Sequence, residues 1–166
     1  AIQGTLSILV GGDKADFTAF LPLFHAMGTN INYQGKAGNG QHAKMANQIM
    51  IAGALSGVCE AFAYAKTKGL DLEVLFQSVA TGAAGSAQLN AFGEKIIQHN
   101  YAPGFYMKHF MKDMKIAQEE AVQSHLHLQV LQQVLKNYEA LVKQDVHNKE
   151  LGTQALITHY INGMDE

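Results

Sequence analysis

Leu6, Ile8 and Val10 alternate with Thr5, Ser7 and Leu9 before a Gly11-Gly12 pair, a period of two that predicts a strand over residues 4–12. Asp13 then offers a side-chain cap, and Phe17, Phe20, Leu21, Phe24 and Met27 recur at helical spacing up to Gly28. This predicts a short helix with a kink near Pro22, because proline removes a backbone donor. Asn30 to Tyr33 alternate again and stop at Gly35, a second, shorter strand.

Beyond that point the period changes to that of a helix. From Gly40 to Lys68 there is no proline, and apolar residues stand at Met45, Ile49, Met50, Ala54, Val58, Ala61, Phe62 and Ala65. Small residues fill the middle of this run, so one long, largely buried helix ending at Gly69 is predicted. Gly53 and Gly57 each cost a helix about 1 kcal/mol relative to alanine, and close packing must offset that loss. Further helices are predicted from Leu70 to Ala80 behind Asp71, from Ser86 to His99 after a glycine-rich turn, and through Phe105, Phe110, Met114 and Ala117. The last two are carried by Leu128, Val130, Leu131, Val134, Leu135, Tyr138 and Leu141, and weakly by Leu156, Ile157 and Ile161. The expected fold is mainly α: a strand-helix-strand segment over residues 1–36, then an all-helical domain over 37–166, with the boundary at Gly35 to Gly38.

Composition narrows the function classes. The 166 residues are 48% hydrophobic and only 16% charged, a balance that folds and that favours extensive burial or a subunit interface. A net charge of -2 with scattered lysines gives no basic field for a nucleic-acid backbone. The most apolar stretch, Ile49 to Cys59, has 11 residues, short of the roughly 20 that cross a bilayer, so no membrane span is expected. Cys59 is the one cysteine, which excludes an internal disulfide and a multi-cysteine zinc site and fits a cytoplasmic setting. No two of the eight histidines are four apart on a predicted helix, so they are expected at the surface and no metal site is expected.

Two local patterns remain. Gly38-Asn39-Gly40-Gln41-His42-Ala43 matches a dinucleotide fingerprint, but that motif needs a second parallel strand with an acidic residue about 20 positions on. Glu60 has the distance and lies inside a helix, so a glycine turn before a helix is the better account. Lys44, Asn47 and Gln48 then stand at i, i+3 and i+4, placing an ammonium and two carboxamides on one helix face near its positive start. A solvated polar edge is the plain alternative. The chemical alternative is a lysine acid/base with two amides orienting a small oxygenated substrate.

Four segments in order resemble one family. GTLSILVGGD at 4–13, GNGQHAKMANQ at 38–48, GAAGS at 82–86 and PGFYMKHFMKDMKIA at 103–117 are similar to segments of the beta-hydroxyacid dehydrogenases, related to 3-hydroxyisobutyrate dehydrogenase and more distantly to 6-phosphogluconate dehydrogenase. The resemblance implies the end of a Rossmann domain followed by an all-helical domain that forms a homodimer or higher homo-oligomer. It implies Lys44 as general acid/base, Asn47 and Gln48 as substrate-binding amides, and Lys112 as a residue that contacts the nicotinamide cofactor. Asp113 is expected to order its segment rather than to perform chemistry. Gln48, where many members carry asparagine, looks more like the tartronate semialdehyde reductase and glyoxylate reductase branch.

The family's glycine-rich nucleotide fingerprint and its S-G-G loop have no counterpart in these residues. The resemblance therefore implies the C-terminal part of an NAD- or NADP-dependent enzyme acting on a small hydroxy acid or semialdehyde, joined to a missing N-terminal nucleotide-binding domain. Alone, this part is expected to hold no cofactor tightly and to be inactive. Glyoxylate or succinic semialdehyde is an alternative substrate, and a non-catalytic helical dimerisation domain is the rival function.

Overall fold

A computed structural model of the chain describes residues 2–161. Its contacts divide into two compact units, Ala1–Asn47 and Gln48–Glu166.

The first unit holds two parallel strands, β1 (Leu6–Gly11) and β2 (Gly28–Gly35), joined through helix α1 (Lys14–Met27). The register pairs Ile8 with Ile31 and Val10 with Tyr33. Asp13 caps α1 as its sequence position implies, accepting from the amides of Ala15 at 2.7 Å and Asp16 at 3.3 Å. Pro22 lies inside this helix. β2 is longer than the alternation Asn30 to Tyr33 predicts, because pairing with β1 extends it to glycines at both ends. The turn beyond β1 is tied back by the Gly12 amide donating to the Gly35 carbonyl at 2.8 Å and by the Tyr33 hydroxyl donating to the Gly12 carbonyl at 2.8 Å. None of the residues of α1 is buried, and Phe20, Leu23 and Met27 are exposed.

Helix α2 (Asn39–Thr67) begins in the first unit and runs on into the second. It ends where Gly69 takes a φ of +70°, with the Leu70 amide donating to the Ala65 carbonyl, the closure expected of a glycine-terminated helix. Within the second unit follow α3 (Leu72–Val79), α4 (Ala87–Ile97), α5 (Met107–Gln123), α6 (Gln129–Gln144), two 3-10 segments, Val146–Glu150 and Thr153–Ile157, and α7 (Thr158–Ile161). Ser86 caps α4 through the Leu89 amide and Asp71 caps α3 through the amides of Glu73 and Val74.

Three stripes make the core. α2 buries Leu55, Val58, Cys59 and Phe62; α5 buries Met107, Phe110, Met114 and Ala117; α6 buries Leu131, Val134, Leu135, Tyr138 and Leu141. The i, i+3, i+4, i+7 recurrence in each is what places these residues on one face. Met50, Ala61 and Val130, which extend the apolar pattern on paper, are exposed instead. α2 is the one described helix with the length and apolarity of a membrane span, having a window of mean hydropathy 1.3. That exceeds what its 11-residue apolar core implied, and half of the window is buried against the other helices.

Several polar groups inside this core are paired, whereas the side-chain oxygens of Gln118 and Gln154 are buried without a hydrogen-bond partner. The Tyr138 hydroxyl donates to the Thr153 carbonyl at 2.8 Å, and burial pushes its pKa well above the usual phenol range. Gln154, fully buried, donates to the carbonyls of Asn100 at 3.0 Å and Ala102 at 3.1 Å, tying the loop before α5 to the 3-10 segment. Cys59 is fully buried, and burial, with Glu60 adding, raises its pKa far above the usual thiol range. Iodoacetamide at pH 8 is therefore expected to label native Cys59 at least about 100-fold more slowly than the urea-unfolded chain. Equal rates would show that α2 opens at Cys59.

Candidate active site

The site begins where the end of β1 meets the start of α2. A Cβ on Gly11 would stand 2.5 Å from the Lys36 carbonyl oxygen and 2.7 Å from the Gly40 amide nitrogen, and one on Gly40 would stand 2.6 Å from the Leu9 carbonyl oxygen. Backbone thus lies directly on backbone, which only glycine permits. Gly38, at a φ of +91°, turns the chain into α2, and its carbonyl accepts from the amides of Gln41 at 3.0 Å and His42 at 3.1 Å. The Gly38-Asn39-Gly40 signal accordingly makes a tight strand-to-helix packing, and a 29-residue helix follows it instead of a strand-helix-strand unit.

A cleft of about 450 Å³ opens along this junction, lined by Ile8, Leu9, Val10, Gly11, Phe24, Gly40, Gln41, Lys44 and Met45. Among the described residues Lys44 is the one charged member of that lining, and Gln41 adds a carboxamide to walls that are otherwise apolar or glycine. Lys44 itself is exposed, on the second turn of α2.

Lys44, Asn47 and Gln48 all lie on α2, and burial increases along them: Lys44 is exposed, Asn47 half-buried and Gln48 buried. Neither amide stands without a partner. Gln48 is 1% exposed, and its Nε2 donates to Asp113 Oδ2 on α5 at 2.8 Å. The other carboxylate oxygen, Asp113 Oδ1, lies 3.2 Å from Lys112 Nζ, whose side chain is 64% exposed. Asp113 therefore joins Gln48 to Lys112, two residues separated by 64 positions in the chain. The ordering role expected of Asp113 understates this link. Its signal was legible: Phe110, Asp113, Met114 and Ala117 share the apolar stripe of α5, an unusual place for a carboxylate.

Other candidates separate from the site. Seven histidines are exposed; His159 is half-buried, with its Nδ1 lacking a hydrogen-bond partner. Among the described residues no group of three or more His, Cys, Asp and Glu side chains is placed to hold a metal. A polar cluster that sequence spacing did not expose joins Ser56, Glu60 and Asn137 around the Tyr160 hydroxyl, at 3.1, 3.2 and 2.9 Å, and anchors α7.

Residues 38–160 match the family model for the NAD-binding of NADP-dependent 3-hydroxyisobutyrate dehydrogenase. The chain belongs to the beta-hydroxyacid dehydrogenase family. Residues 1–35 of this beta-hydroxyacid dehydrogenase chain match the NAD binding domain of 6-phosphogluconate dehydrogenase. An uncharacterized oxidoreductase of Bacillus subtilis is 48% identical over 156 residues, covering 94% of this chain and 54% of the relative. The 2-hydroxy-3-oxopropionate reductase of Escherichia coli is 40% identical over 121 residues, covering 73% of this chain and 41% of the relative. The crystal structure of a 3-hydroxyisobutyrate dehydrogenase from Salmonella typhimurium superposes with a TM-score of 0.87 at 22% identity, over 95% of this chain and 55% of that one, a likeness of fold. The chain spans about half the length of the curated relatives it matches. It is an oxidoreductase-family chain of mainly helical fold.

Proposed function

We propose that the chain is the C-terminal part of an NAD(P)-dependent oxidoreductase that interconverts a small beta-hydroxy acid and its semialdehyde, with Lys44 as general acid and base. The observation that carries this reading is Lys44 standing, among the described residues, as the only charged one lining the cleft at the end of β1. Residues 1–36 are proposed as the end of the nucleotide-binding domain and 37–166 as the helical substrate and oligomerisation domain. Support for a longer working protein comes from the first unit. Parallel sheets are covered on both faces in stable domains, and two strands alone are marginal, yet α1 buries none of its residues and leaves Phe20 and Leu23 in the open.

A bound dinucleotide would supply the hydride that reduction of the carbonyl carbon requires. Lys44 Nζ gives a proton to the carbonyl oxygen as negative charge develops there, and in oxidation the neutral amine takes the hydroxyl proton. Asn47 and Gln48 are the amides proposed to hydrogen-bond the substrate, which turns a collision into a positioned reaction. Lys112 fits a cofactor contact in that its ammonium is largely exposed and its inner side is braced by Asp113. Gln48 favours 2-hydroxy-3-oxopropionate or glyoxylate over methylmalonate semialdehyde, and the likeness to the E. coli reductase favours the first of these. Without the rest of the nucleotide domain the chain has no hydride donor, so by itself it is proposed to be inactive. A cytoplasmic setting accords with the single reduced thiol.

A role in self-association rests on a separate feature, a groove of about 480 Å³ floored by Gly53, Ala54 and Gly57 of α2. The catalytic proposal is tested by assaying the intact protein with NADH and NADPH against the four carbonyl compounds. Reduction of one of them supports the reading and names the branch. Tight cofactor binding with no turnover of any would leave the association role as the better account.

A further inference from the structure

The buried link between α2 and α5 has a polarity, and the polarity assigns a role to Asp113. An ionised carboxylate only accepts hydrogen bonds, so Asp113 Oδ2 dictates which end of the Gln48 amide turns toward it. Nε2 therefore faces Asp113. At the same time Asp113 Oδ1 holds the Lys112 ammonium at 3.2 Å, on the neighbouring position of α5. Gln48 is buried and Asp113 nearly so, which leaves water little chance to replace either partner in that bond. Lys112 is mostly exposed and can exchange its partner for water.

We infer that Asp113 is a positioning residue for both ligands: it sets the hydrogen-bond polarity with which Gln48 meets the substrate, and it braces Lys112 toward the cofactor. This rests on the substrate and cofactor roles proposed above for Gln48 and Lys112. One carboxylate then couples the two binding functions, and substitutions at 113 separate them in a defined way. Asparagine keeps a single side-chain acceptor. The buried Gln48 amide retains it because Lys112 has solvent as an alternative, so Asp113→Asn disconnects Lys112 alone. Alanine disconnects both.

The test uses the intact enzyme, with near-UV circular dichroism to establish that each variant is folded. In Asp113→Asn, the Kd for NADH or NADPH, read by fluorescence titration, is expected to rise about threefold to tenfold while the carbonyl-substrate KM stays within about twofold. In Asp113→Ala both are expected to rise, the substrate KM by about tenfold or more. Adding Lys112→Met to Asp113→Asn is expected to weaken cofactor binding no further than Lys112→Met alone, because the two act through one contact. A purely structural aspartate would instead lower stability without this split. Folded Asp113→Asn with unchanged cofactor Kd, or folded Asp113→Ala with unchanged substrate KM, overturns the inference. If Asp113→Ala does not fold, the asparagine variant and its double mutant decide. If the wild-type enzyme turns over no carbonyl compound, the proposed function fails, and the cofactor Kd values still judge the Lys112 half. Absence of cofactor binding in the wild type overturns both.

Discussion

Lys44→Ala in the intact enzyme is expected to lower kcat/KM for the carbonyl substrate by about 10²–10⁴-fold while leaving the protein folded. The magnitude is that of a positioned proton donor removed from a site that keeps its binding groups. Stability is expected to change by no more than about 0.5 kcal/mol, because Lys44 is exposed and its truncation opens no core cavity. Lys44→Arg is expected to fail almost as badly, since a guanidinium does not release its proton at working pH. The two variants together separate charge from acid/base function. A positive charge that merely attracts a carboxylate survives in arginine, whereas proton transfer does not. Steady-state assays in both directions provide the measurement, and an alanine variant that keeps a tenth or more of wild-type kcat/KM would remove Lys44 from the chemistry.

The second large effect is on stability. Phe110 is fully buried on α5, edge-on to Tyr138 at 5.7 Å and 86° and to Phe105 at 6.1 Å and 69°. Phe110→Ala removes that ring from the α5 and α6 interface and is expected to cost about 3–5 kcal/mol. For a chain of this size the melting temperature should fall by about 6–20 °C, measurable by calorimetry. The consequence reaches the site, because Asp113 lies one turn beyond Phe110 and depends on the same stripe to meet Gln48. Phe110→Leu, which refills much of the volume, should recover more than half of the loss. A fall of under about 2 °C for the alanine variant would mean that this stripe is not the core of the helical unit.

Much of the architecture was legible from periodicity. The alternation of Leu6, Ile8 and Val10 became β1, the caps Asp13, Asp71 and Ser86 opened the helices they precede, and Gly69 closed α2. These are short-range effects, since a cap, a turn and a period of two or 3.6 act within a few residues. Pattern misjudged burial where it depends on what lies opposite. Val130 has core spacing and is exposed, and Asp113 has a charge and is buried. The lysine and its two amides were found because they lie within one helical turn of each other. The bond from Gln48 to Asp113 spans 65 positions, and no spacing rule connects residues so far apart.

The sequence by itself determined the main helices between residues 39 and 144, the strand-helix-strand opening, the family, and the grouping of Lys44, Asn47 and Gln48 on one face, all local consequences of residue order. Only the tertiary structure decided which of those three is exposed, that Gly11 and Gly40 bring β1 and α2 into backbone contact, and that Asp113 holds Gln48 with one oxygen and Lys112 with the other. The reason is physical: burial and hydrogen-bond pairing depend on which elements pack together, and a chain encodes that choice through the sum of many distant contacts.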